Sequence, residues 1–318
     1  MKKLLLFFIF MLISPLPANA FDGPLQVRNQ FPLFLSLNTP YLEKAAIETS
    51  LRVSLSHSSI YLVDNSATWK MGIDIEITEL NLTAKKNFRD LIEVGIELPI
   101  LSFGSGFTDG FLDGYHDTFG FPDYGRSERP ENEFLFEVRR GDTLILKGKN
   151  GRIQVGDIRL TVKKPVLMSD PAVSIQASIE FPSGDAKAGF GNGSLDTGLS
   201  VMAEKNLGQK LRAYLNLGMV FPGDLKGYAR VRIRDYFQGG AAVEAAFWKN
   251  ISLAGQVFIQ GSPFPETDIS SMDRTAVLLS FGGRYSAGKN SLEFSLTEDP
   301  NTSGAPDFIV NFSFRRFF

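Results

Sequence analysis

The feature that most restricts the fold of this chain is an alternation of apolar and polar residues with a period of two. Within residues 173–181, for example, Val, Ile, Ala, Ile and Phe alternate with Ser, Gln, Ser and Glu. Similar segments recur along most of the sequence. Successive side chains of a β-strand point to opposite faces, so each segment has one apolar and one polar face. The sequence therefore predicts an all-β protein built from amphipathic strands.

The length of the segments and of their connections distinguishes a membrane barrel from a soluble sandwich, which would show the same alternation. The segments run to about ten residues, which cover roughly 24 Å when tilted near 45°, close to the apolar band of an outer-membrane barrel. Strands of soluble proteins typically have about five or six residues. Short connections such as 249–250 and 287–290 alternate with long ones such as 102–151 and 182–195. We therefore predict a transmembrane antiparallel up-and-down β-barrel with short periplasmic turns and long outer loops.

The alternating segments give a strand count of twelve, an even number that leaves both ends of the barrel on the periplasmic side. The predicted strands are 46–56, 69–82, 88–101, 152–165, 172–182, 196–205, 211–221, 236–248, 251–260, 274–286, 290–298 and 307–318. A further short hairpin, Glu133–Arg140 with Thr143–Lys147, is placed inside the 102–151 loop. If this hairpin crossed the membrane, the count would be fourteen.

The start of the chain has the features of a secretory signal. Two lysines precede an unbroken apolar run at 4–13, and the small residues of Ala18–Ala20 fit a signal-peptidase site. We predict a cleaved signal peptide at 1–20 and the barrel at 46–318. Residues 21–45 show little periodicity, and we predict that they form either a periplasmic cap or a plug folded into the barrel.

The end of the chain resembles the C-terminal sorting signal of bacterial outer-membrane proteins, in which the last residue is aromatic and alternate residues before it are apolar. The matching positions are Phe308, Val310, Phe312, Phe314 and Phe318. Arg316 departs from the pattern, although an arginine near the membrane surface can extend its charge into water. The resemblance implies that the assembly machinery of the outer membrane is a partner of this protein.

Scattered blocks over much of the chain are similar to an uncharacterised family of Gram-negative outer-membrane β-barrel proteins, a domain of unknown function. The blocks are Gly23–Leu25 with Arg28–Leu33, Asp113–Asp117 in the long loop, and Gly156–Leu160 with Pro182–Asp185 further on. This resemblance implies the barrel fold and a location in the cell outer membrane. It implies no reaction and no substrate.

The polar faces of the predicted strands would place charges of both signs in the lumen. The predicted lumen-lining residues are Glu48, Arg52, Asp74, Glu76, Glu93, Glu97, Asp157, Arg159, Arg212, Glu244, Arg284 and Arg315. One interpretation is a charged pore wall that sets ion or solute selectivity. The other is a network of ion pairs that fills and stiffens the barrel, since buried charges are tolerated only when they are paired or hydrated. We expect a wet, partly occluded lumen.

The long loop at 102–151 contains two series of residues spaced by four. Aromatic residues recur at Phe103, Phe107, Phe111, Tyr115 and Phe119, and acidic residues at Asp109, Asp113 and Asp117. On a helix the offset of two between the series is about 200°, which predicts an amphipathic helix on the wall or in the mouth of the barrel. The interspersed glycines disfavour a helix by about 1 kcal/mol each, so an irregular loop is the alternative. We expect this loop, including His116, to constrict the lumen.

A weaker pattern suggests an enzyme. His57 and Ser59 resemble the histidine-x-serine arrangement of the outer-membrane phospholipase, another twelve-stranded barrel, which would make Ser59 a nucleophile and His57 its base. The surrounding residues differ, and no orienting partner for His57 is evident in the sequence. The alternative is a surface histidine beside serines.

Composition excludes several other classes of function. The formal net charge is −2 and cysteine is absent, so there is no basic face for nucleic acid and no disulfide or thiolate metal site. The aspartates at 109–117 would form a row on a helix and would not surround an ion, so we predict no metal and no cofactor. The sequence favours a passive channel or transporter for small polar or amphipathic solutes, in contact with outer-membrane lipids. The alternatives are the lipid esterase and a closed structural or surface-binding barrel.

Overall fold

The computed structural model describes residues 21–106, 108, 130, 132–301 and 303–318. The predicted signal peptide at 1–20 lies outside the described residues. The strands are β1 (Ser50–Asn65), β2 (Trp69–Phe88), β3 (Ile92–Gly104), β4 (Leu135–Arg140), β5 (Thr143–Lys147), β6 (Arg152–Val155), β7 (Ile158–Leu167), β8 (Ala172–Phe181), β9 (Asp196–Asn206), β10 (Leu211–Phe221), β11 (Leu225–Lys226), β12 (Arg230–Val231), β13 (Tyr236–Trp248), β14 (Ile251–Gln260), β15 (Ala276–Ala287), β16 (Asn290–Glu298) and β17 (Phe308–Phe317). Two short helices, α1 (Pro32–Leu35) and α2 (Ser270–Asp273), and a 3-10 turn at Ala186–Ala188 complete the described elements. None of the helices in these ranges has the length and apolar character needed to cross a membrane.

Twelve of these strands form a closed antiparallel barrel, which confirms the predicted fold class and strand count. Each strand pairs with the next in the order β1, β2, β3, β7, β8, β9, β10, β13, β14, β15, β16 and β17. The barrel closes between β1 and β17, in a register that runs from Ser50 opposite Phe317 to Ser59 opposite Phe308. β6 pairs with the outer part of β3 and β7 with its inner part, so the predicted strand 152–165 is interrupted once.

The first hairpin is longer than the sequence predicts. β1 and β2 extend to 50–65 and 69–88, compared with the predicted 46–56 and 69–82. The outer end of β2, Trp69–Asp74, pairs with β4, and β4 pairs with β5. The hairpin β4–β5 therefore belongs to the 102–151 loop, as predicted, and adds no strand to the barrel.

The outward face of the barrel carries a belt of apolar side chains. Its members include Val53, Leu55, Ile96, Val162, Ile175, Leu199, Val201, Leu215, Leu217, Val243, Leu253, Leu292, Phe294, Phe312 and Phe314, each more than a third exposed. A contiguous apolar surface of this extent is rare on soluble monomers and is the lipid-facing surface of an outer-membrane barrel. Short turns and both ends of the barrel lie at one rim, which is the periplasmic rim by the usual rule, and the long connections lie at the outer rim.

The inward face is divided into two levels. Near the outer rim it is apolar, with buried residues of β1, β2 and β3 such as Ile60, Ile75 and Phe103 in one cluster. The loop at 182–195 closes over this cluster, where Phe190 stacks on Phe103 with ring centroids 4.3 Å apart. Towards the periplasmic rim the inward positions are polar and charged. The interior is thus an apolar outer level above a charged inner level.

Candidate functional site

Most of the predicted lumen residues lie on the inward face and are buried. Those at inward strand positions are Arg52, Glu93, Glu97, Arg159, Glu244, Arg284 and Arg315. Glu48 lies two residues before β1, Asp157 lies between β6 and β7, and Arg212 is half-buried near the periplasmic rim. Several form ion pairs within the wall: Arg159 Nη2 lies 2.5 Å from Glu97, and Arg284 lies 2.9 Å from Glu244 and 2.6 Å from Glu293.

The lumen prediction is wrong for Asp74 and Glu76. Both lie on the outward face of β2, while their neighbours Ile73, Ile75 and Ile77 point inward into the apolar cluster. At this height β2 has passed beyond the apolar belt. Polar side chains can therefore face outward and apolar ones inward, which is the reverse of the arrangement at membrane level.

Residues 21–45, here called the N-terminal segment, occupy the interior of the barrel. The segment begins near the periplasmic rim, where the backbone N–H groups of Asp22 and Gly23 both donate to Glu244, each at 3.0 Å. It reaches the outer level at α1, whose residues pack into the apolar cluster. It then returns to the periplasmic rim, where the N–H of Ala45 donates to Glu204 at 3.0 Å.

The backbone of the N-terminal segment is held mainly by side chains of the wall. The N–H of Leu25 donates to Gln256 at 2.8 Å, and that of Gln26 donates to Glu293 at 2.7 Å. On the returning arm, the N–H of Asn38 donates to Glu180 at 2.7 Å. Because the segment forms no strand, it cannot satisfy these buried donors by itself. The wall carboxylates and amides therefore act as its hydrogen-bond partners.

Charged side chains also join the segment to the wall. Arg28 Nη2 lies 2.5 Å from Glu79 of β2. Lys85 Nζ donates to both carboxylate oxygens of Glu43, at 2.6 Å to Oε1 and 2.5 Å to Oε2. None of these residues is among the lumen residues predicted from the sequence. Glu79 and Lys85 lie on the inward face of β2, but Lys85 falls beyond the predicted end of that strand.

Two wall glycines leave room for leucines of the segment. A Cβ atom at Gly240 of β13 would lie 2.9 Å from a methyl carbon of Leu42, and one at Gly282 of β15 would lie 2.9 Å from Leu25. These separations are shorter than ordinary carbon contacts of about 3.5–4.0 Å. The added Cβ atoms would lie closer still to the carbonyl oxygens of Val257 and Phe294 on the neighbouring strands, so both the strand pairing and the seated segment favour glycine at these positions.

At the outer level the segment completes an aromatic cluster. Phe31 and Phe34 have ring centroids 5.1 Å apart, and Phe34 lies 6.2 Å from Phe264 of the 261–275 loop. Trp69 packs on the other side of Phe264 at 6.1 Å. Pro32 fits the first turn of α1, where its missing N–H costs no helical hydrogen bond. The apolar part of the segment thus lies at the apolar level of the wall.

The predicted constriction loop is only partly within the described structure. Phe103 lies in β3 and not in a helix. The other residues of the prediction lie outside the described residues: Phe107, Asp109, Phe111, Asp113, Tyr115, His116, Asp117 and Phe119. Thr108 is described, and its backbone N–H donates to Glu76 at 2.7 Å on the outward face of β2.

His57 and Ser59 both lie on the outward face of β1, as the alternation predicts. His57 Nε2 is 2.8 Å from Glu76, and Nδ1 is 2.9 Å from Thr78. Glu76 is therefore the partner that the sequence did not reveal, and the β1–β2 register that places it opposite Ser59 was the missing information. The hydroxyl that lies at Nδ1 in this geometry is that of Thr78, and not that of Ser59.

Among the described residues no group of three or more His, Asp or Glu side chains could hold a metal ion. The interior contains instead a set of paired charges, apolar contacts and one non-strand segment.

Comparison with known proteins gives one family and several solved structures. The chain belongs to the DUF3187 family, described as a protein of unknown function, whose model matches residues 2–318. This confirms the family resemblance seen in the sequence. No match was found among the curated proteins.

The solved structures share the barrel fold. The COG4313 outer membrane channel from Pseudomonas putida F1 gives a TM-score of 0.57 at 16% identity, over 86% of this chain and 96% of that chain. The NanC porin gives 0.49 at 11% identity, over 84% and 99%. The toluene transporter TbuX from Ralstonia pickettii gives 0.43 at 11% identity, over 90% and 98%. At 16% identity the likeness to the COG4313 channel shows the fold alone, which is that of an outer-membrane barrel.

Proposed function

We propose that this protein is an outer-membrane channel for small polar or amphipathic solutes, closed in this structure by its own N-terminal segment. The observation that carries the proposal is the nature of the closure. A separate segment without strand structure fills the lumen, held by hydrogen bonds and ion pairs such as Lys85 to Glu43. Water or a solute can replace contacts of this kind, so the closure is reversible in principle.

The two levels of the interior indicate the kind of solute. The outer level offers aromatic and aliphatic side chains, and the inner level offers charges of both signs. A molecule with an apolar part and a polar group would find a partner for each. We infer that amphipathic solutes cross more readily than purely apolar ones, because an apolar molecule would leave the inner charges unpaired.

Two further parts of the proposal concern export and assembly. The lysine-led apolar run before residue 21 supports cleavage of a signal peptide during export. The outward Phe312 and Phe314 on β17 and the terminal Phe318 support recognition by the barrel assembly machinery. Outer-membrane lipids would then cover the apolar belt.

The filled interior also favours a second candidate, a sealed structural barrel in which the N-terminal segment never leaves. A cross-link between the segment and the wall distinguishes the channel from the sealed barrel. Asn38 and Ser178 suit it, because Asn38 Nδ2 of the segment lies 3.0 Å from Ser178 Oγ of β8. The natural chain has no cysteine. Asn38→Cys and Ser178→Cys together therefore place a single pair of thiols between the segment and the wall.

The experiment is single-channel recording in planar bilayers before and after the two thiols are bridged with a short bis-thiosulfonate linker. A gated channel gives discrete current steps that disappear on bridging and return on reduction. The Asn38→Cys single variant, treated in the same way, is the control and keeps its steps. If protein shown to be folded by its gel migration gives no steps when reduced, the sealed structural barrel is correct and the channel proposal is refuted.

A further inference from the structure

We propose that Lys85, Lys163 and Arg52 form a carboxylate-binding site on the lumen wall, that Glu43 occupies it as an internal ligand, and that carboxylate-bearing solutes release the N-terminal segment by competing with Glu43. This inference rests on the proposed channel function and names the solute class of the same lumen. It starts from the unusual position of Glu43, a buried acidic residue on an irregular segment.

Glu43 is held at both its side chain and its backbone. Lys85 Nζ lies 2.6 Å from Oε1 and 2.5 Å from Oε2, and Lys163 Nζ lies 3.3 Å from Oε2. The backbone N–H of Glu43 donates to Asn216 Oδ1 at 2.8 Å, and Asn216 Nδ2 donates back to the Glu43 carbonyl at 2.8 Å. Two ammonium groups on different strands thus converge on one carboxylate, which is the donor set that a free carboxylate requires.

The wall alone does not balance the charge of the two lysines. Glu93 of β3 is their shared wall carboxylate, 3.1 Å from Lys163 Nζ and 3.8 Å from Lys85 Nζ. Lys163 and Glu93 are almost completely buried, with 1% and 0% of their side chains exposed. Glu48, two residues before β1, also attracts Lys85, but it pairs with Arg315 at 3.4 Å. If Glu43 left without a replacement, each of the two buried lysines would lose one of its two ion-pair partners, with a large desolvation penalty.

Arg52 increases this excess of positive charge. It lies on the inward face of β1, is 6% exposed, and its Nε has no hydrogen-bond partner in the described part of the chain. It is close enough to attract the carboxylate of Glu43 electrostatically. A buried guanidinium with an unused donor beside two lysines favours an anion at this place over a neutral solute.

Other ion pairs of the interior place fewer wall cations against the segment. Arg28 of the segment pairs with the anion Glu79, and Arg315 of β17 pairs with Asp22 of the segment but also has Glu48 at 3.4 Å. Arg159 with Glu97, and Arg284 with Glu244, are complete within the wall and remain paired when the segment leaves. The site around Glu43 is therefore where an incoming anion gains most from replacing the segment. If a solute carboxylate pairs with Lys85 and Lys163, Glu43 can enter water and the two lysines still have an anion in its place.

The test uses the full chain with one introduced thiol, Ser36→Cys, in the buried part of the N-terminal segment. The rate at which a membrane-impermeant maleimide labels this thiol, with the protein in lipid nanodiscs, reports release of the segment. Sodium glucuronate is the carboxylate probe. Sodium chloride at the same ionic strength and glucose at the same concentration are the controls. We expect glucuronate to increase the labelling rate severalfold over both controls.

Variants in the same Ser36→Cys background assign the effect to the site. With Glu43→Gln the labelling is expected to be at least about tenfold faster without any probe, because an ion pair with two buried lysines is lost. Lys85→Gln combined with Lys163→Gln is expected to abolish the response to glucuronate. Lys164→Gln, on the outward face of β7, is the matched lysine control and keeps the response.

Arg28→Gln is a second control, because it loosens the segment at Glu79 and leaves the lysine site intact. It should label faster than the parent and still respond to glucuronate. The carboxylate site is refuted if the Ser36→Cys protein is labelled at a measurable rate and that rate is the same in glucuronate and in chloride. This outcome does not depend on whether the other variants fold. Current steps from that same protein would then show that the channel function stands without it, whereas their absence would refute the channel function separately.

Discussion

Leu42 gives the sharpest test of whether the N-terminal segment gates the barrel. Its side chain is 1% exposed and clusters with Phe258 of β14, Ala276 and Leu278 of β15, and Ala305 of the connection between β16 and β17. Leu42→Ala removes these contacts from the seated state, whereas in the released state the side chain meets water in either case. Buried Leu→Ala substitutions cost about 2–5 kcal/mol. At about 1.4 kcal/mol per factor of ten, the released fraction should rise roughly 30-fold to 4000-fold.

The assay is the open probability of single channels in planar bilayers, measured for Leu42→Ala and for a control. Leu217→Ala is the matched control, because Leu217 lies on the lipid-facing side of β10 and is 45% exposed. The control should have the open probability of the natural protein. An unchanged open probability for folded Leu42→Ala would mean that seating of the segment does not govern the current, and the reasoning from its contacts would be refuted.

Three other predictions test separate parts of the structure. Glu97→Gln leaves Arg159 buried without its anion and should lower the free energy of unfolding in detergent by about 3–5 kcal/mol. A urea titration measures this change, with Glu266→Gln at an exposed position as the control. Equal urea midpoints for the two variants would contradict the prediction. Phe318→Ser should reduce the folded fraction recovered from outer membranes, as seen by heat-dependent gel migration, and an unchanged fraction would show that the tail is not the sorting signal. Purified protein should not hydrolyse phospholipid, because His57 Nδ1 lies against Thr78 and not against the predicted nucleophile Ser59. Hydrolysis that disappears with His57→Ala would restore the esterase interpretation.

The barrel itself was predictable because lipid imposes one pattern on every strand. At membrane level each outward residue meets hydrocarbon and each inward residue meets a polar interior, so the period of two is complete in strands such as β8 (172–181) and β10 (211–221). The bounds of these two strands agree with the predicted 172–182 and 211–221. Strand count and closure follow from the same pattern, since an open edge cannot persist in lipid.

β2 shows where this reasoning fails. Its inward face is apolar at Ile73 and Ile77 but polar at Glu79 and Lys85. The sequence shows two faces at every point along the strand, but it does not show at which height the polar face changes from inward to outward. Asp74 was therefore assigned to the lumen, and Lys85 was left in the connection between the predicted strands 69–82 and 88–101, although it lies in β2.

The N-terminal segment was the least predictable part for a related reason. Its conformation depends on partners distant in sequence, such as Glu244 for Asp22 and Glu180 for Asn38. No local periodicity records such partners, because the segment follows the shape of the lumen and not a regular backbone geometry. The sequence could thus offer a cap or a plug for residues 21–45 without deciding between them.

The match between the segment and the wall has a consequence for how the barrel opens. Wall groups such as Glu244 and Glu180 have N–H donors of the segment as partners, and Lys85 has Glu43. Buried groups of this kind cannot be left unpaired without a penalty of several kcal/mol for each ion. Release of the segment and entry of water or solute must therefore occur together. A molecule that supplies the same carboxylate as Glu43 lowers the free energy of that combined step directly, and this is why the chemistry of the segment is the best available guide to the chemistry of the solute.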